Sequence, residues 1–277
     1  MWGTTYLAIR ILVETFPPLL ISGGRWIIAG SLLLLILKIR KEPVPAVSSW
    51  PALAIVGLLL IGFGNGAVVW AEQTVPSGLT ALLLATSPFW MVCIEAAIPG
   101  GVSLTRLKVL GLAVGFAGIA ALVWPEIHVG ESSGLVPGIV ATQFACAGWA
   151  VGSVYSKRRK THDNVLAEIS LQMLFGGLFL ALAGLLHGEA ARIVFSERSF
   201  LAFLYLIFFG SIVGFSAYVY ALKHLPVATV SMYAYINPLI AVVLGVVVLG
   251  EAVSGRIIAA AAIVLAGVFL VRRPGGR

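Results

Sequence analysis

The chain contains a single aspartate, Asp163, and charged side chains make up only 10% of its 277 residues. A soluble domain of ordinary composition carries charge on nearer a quarter of its residues, so this shortage excludes a water-soluble globule. It excludes particular chemistries too. Membrane-embedded transferases that hold a diphosphate through magnesium need clustered carboxylates, and metal hydrolases need sets of His, Glu and Asp. Neither is here, nor is an HExxH, a CxxC or a Walker-type loop. The four histidines, at 128, 162, 187 and 224, stand singly at the ends of apolar runs. Cys93 and Cys146 lie inside such runs and read as small buried hydrophobes, not a disulfide framework. No metal, no cofactor and no enzyme activity is expected.

What the chain has in quantity is apolar sequence: 60% of residues are hydrophobic and the mean hydropathy is +1.05. Short polar punctuation divides it into ten apolar segments, at approximately 1–14, 18–38, 51–71, 76–98, 105–124, 136–155, 165–186, 200–222, 227–249 and 254–271. Most reach the length needed to cross about 30 Å of hydrocarbon. Lipid cannot satisfy a lone backbone, so long continuous runs must be helices. The first run, ending at Glu14, is short for a span, and about ten residues are expected upstream of Met1. The net charge of +7 is unevenly placed and implies no nucleic acid. One set of connections holds Lys38, Arg40, Lys41, Arg106, Lys108, the run 157–160, Lys223 and the tail arginines 272, 273 and 277; the alternate set holds Arg192, Arg198 and Arg256. The positive-inside rule makes the first set cytoplasmic, with both termini on that side. An even number of spans requires the same.

The halves of the chain match one another. A shift of 150 lays Gly64 on Gly214, Ala71 on Ala221, Pro76 on Pro226, Pro88 on Pro238, Gly100 on Gly250 and Arg106 on Arg256; Trp2 falls on Trp149 at a shift of 147. Five segments per half is an odd number, so the second half enters the membrane from the opposite side. The expected fold is therefore an all-α integral membrane protein, with ten transmembrane helices arranged as two inverted five-helix repeats, 1–125 and 136–272. Such repeats characterise transporters with a site near the midplane.

The stretches "WGTTYLAIR", "PPLLISGGRWIIAG", "GNGAVVWAEQTVPSGLTALLLATSP" and "SMYAYINPLIAVVLGVVVLGE" resemble the drug/metabolite transporter superfamily, in its EamA family. The resemblance covers nearly the whole chain. It implies the same inverted repeats and export of small metabolites by alternating access from a bacterial cytoplasmic membrane. Many members carry Gly-Glu after the fourth and the ninth helices; this chain has Gly250-Glu251 but Gly100-Gly101.

Polar residues inside the spans are the candidates for function. Asn65 cannot face lipid without leaving its amide unpaired, so it points into the bundle, either bonding across to another helix or lining a solute cavity. Gly62 and Gly66 share a helical stripe suited to close packing. Trp70 and Glu72 read as an aromatic belt and a solvated cap, or as an outer gate that meets protons. Arg25 could pair with Glu14 or Glu72, or attract an anionic group. Glu95, near a helix end, could be solvated, pair with Arg106 or Lys108, or carry protons. Arg25, Glu72 and Glu95 are thus the candidates for coupling or gating.

The family implies that helices one, four, six, eight and nine line the cavity. These carry Trp2, Tyr6, Trp90, Trp149, Tyr218 and Tyr235, which with Asn65, Thr86, Gln143 and Asn237 form the expected substrate set. Aromatic faces with hydroxyls suit amphiphilic or cationic solutes. Pro88 and Pro238 each free a carbonyl one turn earlier. Helices five and ten carry small residues without polar groups and read as packing. The leading expectation is a secondary exporter whose partners are a small solute and the lipid bilayer, as monomer or homodimer. A facilitative permease and a non-transporting scaffold are the alternatives.

Overall fold

The computed structural model describes residues 1–101, 104–129, 134–159, 164–225, 227–230 and 233–272, with backbone alone at 122–129, 227–228, 234–235 and 272. The residues Lys160, His162, Asp163, Pro226, Arg273 and Arg277 named above lie outside it, as does the side chain of His128. The described residues are helical, with no strand among them. In chain order the helices are α1 (Trp2–Leu12), α2 (Pro18–Ile39), α3 (Val47–Ala71), α4 (Ser77–Ala97), α5 (Arg106–Val129) and α6 (Leu135–Arg158). They continue with α7 (Val165–Leu186), α8 (Glu197–His224), α9 (Tyr233–Leu249, after a helical turn at Val227–Val230) and α10 (Gly255–Arg272). Six of these, α2, α3, α4, α6, α7 and α8, are long and apolar enough to cross a membrane, while Ile236–Leu249 and Gly255–Val271 are shorter apolar helices. Large apolar side chains such as Phe144, Leu182, Leu186 and Val247 lie on the outside of the bundle. A soluble surface does not carry so many; a lipid-covered one does.

Local chemistry sets the helix ends and interruptions. Pro18 opens α2 in its first turn, where a missing N–H costs nothing, and Asn164 caps α7 by accepting from Leu166 N at 3.0 Å. The helix α4 breaks between Leu84 and Ser87 because Pro88 cannot donate. The carbonyls left there are taken up by hydroxyls: Ser87 Oγ donates to Leu84 O and Thr86 Oγ1 to Leu83 O, both at 2.7 Å. That is how a broken helix survives away from water. Two other helices widen instead, with π-type turns over Leu58–Asn65 in α3 and Leu206–Phe215 in α8.

Packing brings the halves together. The most extensive contact joins α2 to α7, followed by α5 with α10 and α3 with α6. A Cβ on Gly23 would stand 2.4 Å from the backbone nitrogen of Ala181, so the α2–α7 crossing is backbone against backbone. The α5–α10 crossing is as close: a Cβ on Gly267 would stand 2.6 Å from Gly115 N. Several contacts come in matched sets, α3–α6 with α1–α8, α4–α6 with α1–α9, and α3–α7 with α2–α8, while α4 meets α9, its own counterpart. Replacing each helix by the one five places along exchanges the members of each set, whereas the contacts of α6 with α8 and of α4 with α10 have no counterpart of like extent among the described residues.

Candidate solute cavity

A cavity with about 80 Å³ of room for water centres lies where α1, α2, α3, α4, α6, α8 and α9 converge, space for several waters. Its walls are mostly apolar and aromatic, with a few inward polar groups, the usual make-up of a small-molecule site. Of the residues expected from sequence, Trp2, Tyr6, Asn65 and Trp149 line it, and so does Arg25.

Asn65 stands at the end of the widened turns of α3. Ser22, Arg25 and Trp26, at spacings of three and four, share the facing side of α2. All three donate to its Oδ1: Ser22 Oγ at 3.1 Å, Arg25 Nη2 at 2.6 Å and Trp26 Nε1 at 2.9 Å. Asn65 therefore bonds across to another helix, and its side chain also borders this cavity. The Gly62 and Gly66 stripe packs on α7, where added Cβ atoms would meet Phe179 and Leu180. Arg25 is 2% exposed, and its guanidinium carbon lies 4.7 Å from the Trp26 ring centroid. Neither expected carboxylate partner is in direct contact with it: Glu14 pairs with Arg198 at 3.7 Å, and Glu72 acts on Arg25 only from beyond ion-pair distance.

An aromatic cluster closes one side. Ring centroids of Trp2 and Trp149 are 5.5 Å apart, Trp2 and Tyr218 5.2 Å, and Trp2 and Tyr233 5.1 Å. Hydrogen bonds fix it, with Trp149 Nε1 donating to Tyr218 Oη at 2.8 Å, Ser153 Oγ 2.7 Å from the same hydroxyl, and Trp2 Nε1 donating to Gly210 O at 3.3 Å. Tyr218 thus stands behind Trp149 and is not among the described lining residues.

Thr86, Trp90 and Gln143 form a separate polar group at the α4 break. Gln143 Oε1 accepts from Trp90 Nε1 at 3.1 Å and lies 3.2 Å from Thr86 Oγ1. Gln143 Nε2 is buried without a partner, as is Nδ2 of Asn237. The side chain of Tyr235 lies outside the described residues. Glu95 is half-buried near the end of α4. Glu72 departs most from expectation. In place of a wet cap, it is fully buried and neither carboxylate oxygen has a hydrogen-bond partner, while Arg10 donates to its backbone carbonyl. The aromatic-belt reading of Trp70 suits its 41% exposure.

Sequence reasoning missed Thr5 and Trp26 in the cavity wall. The signal for Trp26 was its position beside Arg25 and four residues after Ser22. Glu168 was missed as well; fully buried, it pairs with Arg159 and Lys223 where α6 ends and α7 begins. Among the described residues no group of three His, Cys, Asp or Glu side chains is placed to hold a metal ion.

Comparison with known proteins places these features in a family. The EamA-like transporter family matches residues 1–124 and 136–273. The chain is 38% identical over 246 residues to the uncharacterized inner membrane transporter YedA of Escherichia coli strain K12, covering 88% of this chain and 78% of that protein. It is 26% identical over 243 residues to the uncharacterized transporter YvbV of Bacillus subtilis strain 168, again covering 88% and 78%. A solved crystal structure at 23% identity aligns over 98% of this chain and 92% of its own, with a TM-score of 0.69, and shares the fold.

Proposed function

This chain belongs to the EamA-like transporter family, and we propose from that premise that it is a secondary exporter of small amphiphilic metabolites, working by alternating access in a bacterial inner membrane. It is a membrane transporter and not an enzyme. The observation that carries the export reading is the aromatic-walled cavity with Asn65 and Arg25 at its side. A scaffold has no need of such a space.

Ten spans in two inverted repeats are part of the proposal. The matched contacts α3–α6 with α1–α8, α4–α6 with α1–α9 and α3–α7 with α2–α8 support it, as do the widened turns near the middles of both α3 and α8. In this reading both termini face the cytoplasm. Trp2, Tyr6, Asn65 and Trp149 touch solute; Thr86, Trp90, Gln143, Tyr218, Tyr235 and Asn237 surround them and move with the path. Glu72, buried without a partner, is the carboxyl best placed to exchange a proton, ahead of Glu95.

Proteoliposomes loaded with neutral amino acids, aromatic amines and dyes test the proposal, with and without an inward proton gradient. Export predicts efflux of some solutes that is lost in Trp149→Ala and Tyr6→Ala. A gradient-stimulated rate that vanishes in Glu72→Gln assigns the coupling. Efflux unchanged by both cavity substitutions, in folded protein, would remove the cavity from the path.

A further inference from the structure

We infer that the cavity selects anions: a solute carboxylate docks on the Arg25 guanidinium while an aromatic or branched apolar body lies among Trp2, Tyr6, Trp26 and Trp149. The inference rests on the solute-cavity reading above. Arg25 is the charged member of the fifteen described lining residues. Its guanidinium has five N–H donors, of which the protein employs one, from Nη2 to Asn65, and Nε is buried with no partner at all. The contact with Trp26 uses its charge and none of its donors. Burying a cation in this way is costly unless a negative group joins it. The described protein places none in direct contact: the buried carboxyl of Glu72 acts on Arg25 only from beyond ion-pair distance and does not line the cavity. A guanidinium fork matches the two oxygens of a carboxylate.

The same wall disfavours other charges. An organic cation would meet Arg25 with no described carboxylate lining the cavity to offset the repulsion. The ammonium of an amino acid fares little better, because Asn65 Oδ1 already accepts from three donors. Acids lacking an amino group are therefore favoured over zwitterions and amines.

The test uses the purified full chain and quenching of its tryptophan fluorescence by four probes of one shape: 3-phenylpropionate, 3-phenylpropionamide, phenethylamine and phenylalanine. The expected result is saturable quenching at least tenfold tighter for 3-phenylpropionate than for the other three. Arg25→Gln should reduce it to the level of the amide, and Arg25→Lys should keep part of the preference. If Arg25→Gln does not fold, Asn65→Asp supplies a carboxylate beside the guanidinium and should erase the preference for the acid. Equal binding of acid and amide, or a preference that survives both Arg25→Gln and Asn65→Asp, would overturn the inference and leave the cavity reading standing. No binding of any probe would overturn both.

Discussion

Around Glu168 the bundle buries charge together with its partners, whereas around Arg25 it buries charge largely without them. Glu168 is fully enclosed, ion-paired to Arg159 and, at 3.5 Å, to Lys223. Lys223 Nζ also donates to Ser156 O at 3.3 Å, and Lys157 Nζ to Lys223 O and Leu225 O at 3.2 and 3.0 Å. The last carbonyls of α6 and α8 thus hold cations, which the helix dipole favours at that end. Nothing is left over for a visitor. At Arg25 one donor of five is used, and the space beside it is open. A satisfied network rigidifies a fold, and an unsatisfied one marks where something absent from the fold belongs.

The comparison breaks most visibly at Glu168. Glu168→Leu strips Arg159 and Lys223 of their carboxylate, and breaking a buried pair costs about 3–5 kcal/mol. At this size that lowers the melting temperature in detergent by about 10 °C. Adding Lys223→Met should recover part of the loss, and a double-mutant cycle measures the coupling. A melt unchanged by Glu168→Leu would show that the network contributes nothing. The next largest effect is at Asn65. Asn65→Leu removes the acceptor shared by three donors beside a cavity where water can take over part of the bonding, for a net loss of about 1–3 kcal/mol. Transport and several degrees of melting temperature should be lost together, while Asn65→Asp keeps the acceptor and the melt.

Asn65 shows where sequence reading stops. Periodicity places Asn65 on an inward stripe but not opposite Ser22, Arg25 and Trp26, which depends on widened turns that no residue pattern announces. The long apolar runs and the matched glycines and prolines gave the helices, their order and the small-residue crossings. Helix ends were legible wherever Pro18 or Asn164 stood at them. The solvated-cap reading of Glu72 fails because position near a helix end suggests water, whereas tertiary packing buries the side chain and Arg10 of α1 reaches its backbone carbonyl. Glu168 gave no signal, since its partners lie nine and fifty-five residues away in the chain.

A smaller effect is expected at Glu251. Its carboxylate accepts from Ser77 N and Gly78 N, at 2.8 and 3.1 Å, and from Ser77 Oγ at 3.0 Å, capping the start of α4 from the far half of the chain. Glu251→Ala should cost about 1–2 kcal/mol, as loss of a good cap does. Gly101 occupies the position that the repeat pairs with Glu251, so the corresponding substitution there removes no carboxylate. Amide exchange in the first turn of α4 would locate the loss; faster exchange spread over the whole bundle would mean that Glu251 does more than cap.

The smallest change in stability is expected at Arg25, and it is the sharpest test of the comparison. Arg25→Met replaces a buried cation by an apolar chain of similar length. It gives up one hydrogen bond, yet Asn65 Oδ1 keeps its two other donors, Ser22 and Trp26. One neutral-scale hydrogen bond is worth about 1 kcal/mol net, and removing an uncompensated buried charge returns at least as much. The melting temperature should therefore stay within about 3 °C of the parent or rise, while binding of 3-phenylpropionate collapses. Stability sacrificed at a binding site is commonly recovered when the site is erased. A fall as large as that of Glu168→Leu would instead mean that Arg25 is held by the fold for the fold's own sake, and the distinction between the two buried charges would be gone.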